Sequence, residues 1–367
     1  MRVLVVEPYL SGSHAAWAHG YARHSAHQME LVALPGRFWR WRLRGSAVEL
    51  AERIEASVSA YGRPDVVVIS SLTDLAALLG LARRSLLGVP VVAYLHENQL
   101  AYPRDDATDL DAAMRTWTGL VAADRLIFNS HHHQRVVTEA LPALRAGMPD
   151  GDVDLGPGWL RAKSTVVPVG IDPALMGGMA PETAPSAGPD GPLIVWNHRW
   201  DDDKAPDVFV RACRRMADDG AEFRVALLGA DGWDGEPRRA AATETLGDVV
   251  AHSGHVRRSD YLGLLGRADV VVSTARHEFF GVSVAEAVAA GCVPLLPDRL
   301  SYPDLIGRRW HDSVLYQEGT FGSRLADVVA DIDGARGAVD GLAASMERFA
   351  WPLVAARLDA ELTTLVG

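Results

Sequence analysis

Five short runs in the first half of the chain are apolar almost throughout: Val3–Val6, Val66–Ile69, Val89–Leu95, Leu126–Phe128 and Val166–Val169. A strand with one wet face alternates, whereas a strand apolar at every position is covered on both faces, as in a parallel sheet between helical layers. Helical patterns near 46–60, 74–86, 109–123 and 131–145 separate the runs, so this half reads as a doubly wound α/β domain. Residues 177–192, rich in Gly and Pro, break the periodicity and read as a linker. A second series follows, with strand-like Leu193–Asn197, Phe223–Leu228, Val249–His252, Asp269–Ser273 and Val293–Leu296. The pattern predicts two tandem Rossmann-like domains, 1–176 and 193–350, facing a central cleft, then an amphipathic last helix within 351–367.

Composition narrows the class. A chain of 367 residues is too long for one ordinary core, and with 48% apolar residues each half can bury its own. Cys213 and Cys292 lie far apart in apolar contexts, which reads as reduced packing thiols in a cytoplasmic protein. No segment reaches the roughly 18 to 20 apolar residues of a membrane span. The net charge of −11 is uneven: residues 1–175 hold 17 Lys/Arg against 18 Asp/Glu, and 176–367 hold 19 against 29. A polyanionic partner would therefore meet the first half.

The stretch from Ser273 to Pro297 carries the strongest chemical signal. Glu278 and Glu286 bracket a Phe280-Gly281 turn, and Ser283 with Glu286 spells a capping box that predicts a helix start. Free N–H groups at Gly281, Val282 and Ser283 suit a phosphate, and Gly281 allows close approach. Two carboxylates beside that tip can accept from hydroxyls at both ends of a sugar nucleotide; the plainer alternative is that Glu286 only caps its helix and Glu278 is a solvated loop charge.

Other strand ends add polar groups. Gly12, Ser13 and His14 follow the first strand, where an ordinary capped turn is the alternative; His96 and Asn98 follow Tyr94-Leu95, where His96 can meet a sugar hydroxyl or be a satisfied core histidine. Arg199 and Lys204 follow the first strand of the second domain, where two cations can neutralise a diphosphate. Asp201–Asp203 read as helix caps rather than a metal-binding D-x-D, and His131–His133 as a first helical turn behind a Ser130 cap, so no metal is expected. No G-x-G-x-x-G occurs, which argues against a dinucleotide cofactor. The run Arg37-Phe-Trp39-Arg40-Trp-Arg42-Leu-Arg44 interleaves arginines with aromatics, as RNA binding requires, or else packs its aromatics under the sheet.

These motifs together resemble a known family. Glu278, Phe280-Gly281, Glu286-Ala287 and Gly291-Cys-Val-Pro294 resemble the E-x7-E segment of retaining family 4 glycosyltransferases, which have the two-domain GT-B fold. With Pro8–His14, Leu34–Gly45, Tyr94–Pro103, Phe128–Ser130, Trp196–Lys204 and His277–Ala287, nearly the whole chain resembles the tRNA-queuosine mannosyltransferase branch. The resemblance implies transfer of mannose from GDP-mannose to queuosine of tRNA-Asp, and a terminal helix that returns to the first domain. It implies that Arg199 and Lys204 stabilise the leaving group, that His96 and Glu278 contact the sugar, and that Gly229 lies in a glycine loop lining the nucleotide, with Gly12, Phe280 to Ser283 and Glu286 completing the donor site. Ser13, His14, Asn98 and the Arg37–Arg44 run are then left to the acceptor. A family 4 enzyme acting on a small-molecule or lipid acceptor with another nucleotide sugar is the alternative.

Overall fold

The structure is a computed structural model that describes residues 1–101, 110–148, 156–172, 191–229 and 235–367. Tyr102 and Pro103, most of the 147–158 loop, linker residues 177–190 and the segment Gly232–Asp234 lie outside the described residues. The chain divides into two compact units, one of Met1–Gly170 with Trp351–Gly367 and one of Ile171–Ala350.

The first unit is built on six parallel strands: β1 (Arg2–Leu10), β2 (Gln28–Pro35), β3 (Val66–Ser70), β4 (Val91–Leu95), β5 (Arg125–Phe128) and β6 (Ser164–Val166). Their spatial order is β2-β1-β3-β4-β5-β6, with Val3 opposite Val66 and Val6 opposite Ile69. Leu4, Val6, Val67, Ile69 and Phe128 are fully buried, which is why these strands show no polar alternation. Helices α1 (Gly12–His24), α2 (Trp39–Tyr61), α3 (Leu75–Leu81), α4 (Leu110–Ala122), α5 (His131–Ala146) and α6 (Pro157–Lys163) connect the strands. α2 begins two turns before the expected residue 46, after Phe38 in a left-handed conformation (φ 56°), so Trp39–Arg44 are helical rather than loop.

The terminal helix, Trp351–Val366, belongs to this unit. Its Asp359 carboxylate accepts from Tyr21 Oη (2.8 Å), Ser25 Oγ (2.7 Å) and the Ala26 N–H (2.8 Å), which closes the end of α1. Trp351 lies against two glycines, and a Cβ built on either Gly20 or Gly170 would stand 2.2 Å from its ring.

The second unit has β7 (Leu193–Trp196), β8 (Arg224–Leu227), β9 (Val250–Ser253), β10 (Val270–Val272), β11 (Val293–Pro297) and β12 (Leu315–Tyr316), all parallel in the order β12-β11-β10-β7-β8-β9. Helices α7 (Pro206–Asp218), α8 (Gly235–Leu246), α9 (Arg258–Leu265) and α10 (Val282–Ala289) follow successive strands. Trp196 stacks on Phe209 (centroids 5.0 Å apart) in a core shared with Trp200, Phe223 and Cys213. Both cysteines are buried and free of disulfides. Each sheet reverses its winding at one place, between β1 and β3 in the first unit and between β7 and β10 in the second, and ligands of such sheets bind at the carboxyl edge there. Among the described residues no helix is long and apolar enough to cross a membrane.

The close packing of Trp351 gives a direct test. Gly20→Ala should lower the unfolding free energy by about 1–3 kcal/mol through overpacking, seen as a lower urea midpoint with unchanged slope. An unchanged midpoint would mean that the indole moves aside freely.

Candidate active site

At the β7/β10 reversal, two loops are stitched together by backbone contacts. Thr274 Oγ1 donates to the carbonyls of Lys204 and Ala205, 2.9 Å each, and the Arg276 N–H donates to the Asp203 carbonyl at 2.7 Å. Ala205 adopts a left-handed turn (φ 47°) that lets α7 start at Pro206. The result drives the Lys204 ammonium inward. It donates to the His277 carbonyl (2.6 Å) and Glu278 Oε2 (3.3 Å) and stands 3.1 Å from Asp203 Oδ2. Glu278 Oε1 accepts the Phe279 and Phe280 N–H groups. Burial alone would raise the Glu278 carboxyl, but Lys204 and the Phe280 N–H hold it below its ordinary value. Burial and the Lys204 charge keep His198 neutral, down to about 4.

The structure thus brings Lys204 and Glu278 together. Arg199 is exposed and lies 3.3 Å from Asp201, so the two expected cations have different carboxylate partners. The aspartate triplet is not a set of helix caps, as the sequence suggested. Asp202 pairs with Arg238, Asp203 with Lys204, and Asp201 with Arg199, and none caps a helix with its side chain.

The expected capping box at α10 is also corrected. The cap residue is Gly281 in the left-handed region (φ 90°), where glycine avoids the strain a side chain would bring, and no side chain caps the helix. Ser283 instead offers its carbonyl to Asn197 Nδ2 (2.9 Å), while Glu286 Oε1 accepts from Arg258 at 2.6 Å. Val282 and Ser283 therefore open a helix tip that no side chain caps among the described residues. Gly229 (φ 109°) is required after β8: a Cβ there would lie 2.0 Å from the His198 carbonyl. Arg258 escaped the sequence reading. Its one signal was a cation in the first turn of α9, where the helix dipole disfavours positive charge.

The first unit presents its own polar group at the β1/β3 reversal. Gly12 (φ 51°) and Ser13 are exposed at the start of α1. His14 is buried, with Nδ1 3.0 Å from Glu7 Oε1 and Nε2 3.1 Å from Glu97 Oε2. Both ring nitrogens are thus occupied, which corrects the expectation that His14 is a free donor to an acceptor. Asn98 Oδ1 accepts the Leu100 and Ala101 N–H groups and shapes the turn after β4, so it is a structural residue whose Nδ2 lacks a partner among the described residues. One donor atom each of Glu7, His14 and His96 lies within 4.8 Å of the others, a spacing open to a metal ion, but two carboxylates already hold the His14 ring. Ser130 Oγ caps α5 through the His133 N–H, as expected of that histidine run.

The Arg37–Arg44 run does not pack its aromatics beneath the sheet. Phe38, Trp39 and Trp41 are 64%, 38% and 63% exposed. The Arg40 guanidinium lies 5.2 Å above the Trp39 ring, Arg37 and Arg40 are exposed, Arg42 is 3.9 Å from Glu49 and Arg44 pairs with Asp111 at 2.9 Å.

Comparison with known proteins adds to this geometry. Residues 2–171 match the family model described as tRNA-queuosine alpha-mannosyltransferase N-terminal, and residues 184–317 match that of glycosyl transferases group 1. A Drosophila melanogaster protein named tRNA-queuosine alpha-mannosyltransferase is 30% identical over 310 residues, which cover 83% of this chain and 81% of the relative. Among solved structures, a sucrose-phosphate synthase from Thermosynechococcus elongatus is similar with a TM-score of 0.73 at 16% identity, covering 100% of this chain and 99% of that one. Anabaena HepE in complex with UDP and glucose gives 0.69 at 16% identity, covering 99% and 100%. These likenesses establish the GT-B fold.

The Glu278 pairing has a consequence for stability. A carboxyl depressed on folding stabilises the folded state above the ordinary glutamate value of about 4.3, and that contribution disappears as pH falls through the lower folded value. Glu278→Gln should flatten the fall in unfolding free energy between about pH 5 and about pH 2. Parallel pH profiles for variant and parent in urea titrations would contradict the pairing.

Proposed function

The chain belongs to the tRNA-queuosine alpha-mannosyltransferase family of group 1 glycosyltransferases, and on that premise we propose that it moves mannose from GDP-mannose to queuosine of tRNA-Asp with retention of configuration. In this reading the second unit holds the donor. The open tip of α10 at Gly281–Ser283 meets the phosphates, Glu286 accepts from the ribose hydroxyls, and Glu278 from the sugar. Phe280 and Gly229 shape the walls.

The observation that carries the reading is Lys204, a buried ammonium beside Glu278 in the same unit as a helix tip that no side chain caps among the described residues. When the anomeric carbon–oxygen bond to the diphosphate breaks, negative charge grows on the departing phosphate, and a preformed cation stabilises it most at that moment. Arg199, exposed on the same loop, adds a second cation once substrate arrives. The new bond forms from the acceptor hydroxyl to the anomeric carbon on the same face, and the departing phosphate takes the hydroxyl proton. No resident metal enters this scheme. His96 and Ser13 belong to the acceptor-binding first unit, with Gly12 beside them, and the exposed arginine and tryptophan run starting at Arg37 meets RNA.

The test is to incubate the protein with GDP-mannose and tRNA carrying or lacking queuosine, then weigh the digested nucleosides. Mannosyl-queuosine should appear only with the modified tRNA. Lys204→Ala should lower kcat by about 100-fold or more while the KM for tRNA changes little; equal losses in both would count against leaving-group stabilisation. Trp41→Ala should raise the KM for tRNA by about fivefold or more without changing hydrolysis of the donor in the absence of tRNA, since a stacked base contributes about 1–3 kcal/mol. Transfer to a small-molecule acceptor with tRNA ignored would instead favour the alternative.

A further inference from the structure

The relay at the carboxyl edge of β1, β3 and β4 has no part in the donor chemistry. Glu7 Oε1 accepts the Tyr9 N–H at 2.8 Å and faces His14 Nδ1; Glu97 Oε2 faces His14 Nε2, and Glu97 Oε1 accepts from Ser71 Oγ at 2.9 Å. A neutral imidazole donates from one nitrogen only. With a carboxylate on each nitrogen, the imidazolium form donates to both. His96 lies against that cation, ring centroids 4.2 Å apart.

We propose that Glu7, His14 and Glu97 act as one positioning unit: the His14 ring, held at both nitrogens, fixes the His96 ring packed against it so that its imidazole meets the substrate hydroxyl. This rests on the proposed role of His96 at the acceptor side of the reaction. Glu7 and His14 are then positioning residues that touch no substrate.

The surroundings agree. Around His14 the titratable groups are Glu7 and Tyr9 on β1, and Glu97 and His96 after β4. Around His96 they are His14 on α1, His133 on α5, Tyr94 on β4 and Glu7 on β1, a carboxylate oxygen of which lies within 4.8 Å of a His96 ring nitrogen, with Trp17 filling another side. Burial opposes the charge on His14, but Glu7 and Glu97 outweigh it and push the ring up to about 10. Burial, then the neighbouring His14 charge, takes His96 well below its ordinary value. Glu7 Oε2 and His96 Nε2 are buried without a partner among the described residues, which leaves a rival occupant, a divalent cation, to be tested.

The experiment follows the histidine ring nitrogens of the full chain by NMR from about pH 5.5 to about 9, beside metal analysis and transfer assays on tRNA. In the parent, His14 should carry both protons and His96 one proton throughout. Glu7→Gln should bring the His14 titration into that window. Above the new midpoint kcat should fall about tenfold with the KM for tRNA within about twofold, and acidification should restore it, which loss of packing alone would not do. Glu97→Gln, at a half-buried residue, gives the same readout should Glu7→Gln fail to fold. A parent His14 that titrates near 6.5, a loss in both variants that is equal at all pH values, or a stoichiometric divalent ion lost in Glu7→Gln would each overturn the inference. Absence of transfer by the parent would reject the functional reading, while the ring titrations still decide the relay.

Discussion

Each unit buries one cation between two carboxylates at the carboxyl edge of its sheet, where the winding reverses. In the second unit it is Lys204 between Asp203 and Glu278, and in the first His14 between Glu7 and Glu97. Such an arrangement contributes little to net stability, because desolvating three charges costs about what their attraction returns. Its effect is on position. Removing one partner strands a buried charge at a cost of about 3–5 kcal/mol, so the loops are held in the one geometry that keeps all three together. Lys204 ties the loop after β7 to the loop after β10 across 74 residues, and His14 ties α1 to the turn after β4 across 83.

The constraint also explains why the helix tip is bare. Glu278 satisfies the Phe279 and Phe280 amides and Lys204, so it never reaches the amides of α10, and Glu286 is drawn off by Arg258. Gly281 places no side chain there. Three local choices therefore leave N–H groups open where a phosphate suits them, which a real capping box would have prevented.

The apolar runs disclosed the sheets because burial on both faces leaves a mark at every residue, and the E-x7-E segment pointed to the turn before α10 because its spacing is local. Strand β2 escaped: Gln28–Pro35 lies on the sheet edge, is only partly buried, and carries Glu30 among its apolar residues. The early start of α2 was hidden because Phe38 takes a left-handed turn that its residue type gives no reason to expect. Arg258 with Glu286, 28 residues apart, and the two buried cations depend on pairs that the fold alone brings together. Residue types at a strand end mark a site; which carboxylate meets which cation is settled by tertiary contact.

The aromatics after β2 pose the opposite case, since burial does not account for them. Exposing Phe38 and Trp41 forgoes on the order of 1.5–3 kcal/mol each relative to a buried position. Their exposure is built in, because Trp41 lies over Gly45 so closely that a Cβ there would stand 2.7 Å from its ring. A chain with a net charge of −11 repels RNA at long range, so the proposed tRNA contact would require a local surface. Arg37 and Arg40 beside solvent-facing rings form such a surface in the half of the chain whose charges nearly cancel. Stacking carries no net charge and is not screened by salt, so under the proposed reading rings between arginines would add a contact that salt does not weaken.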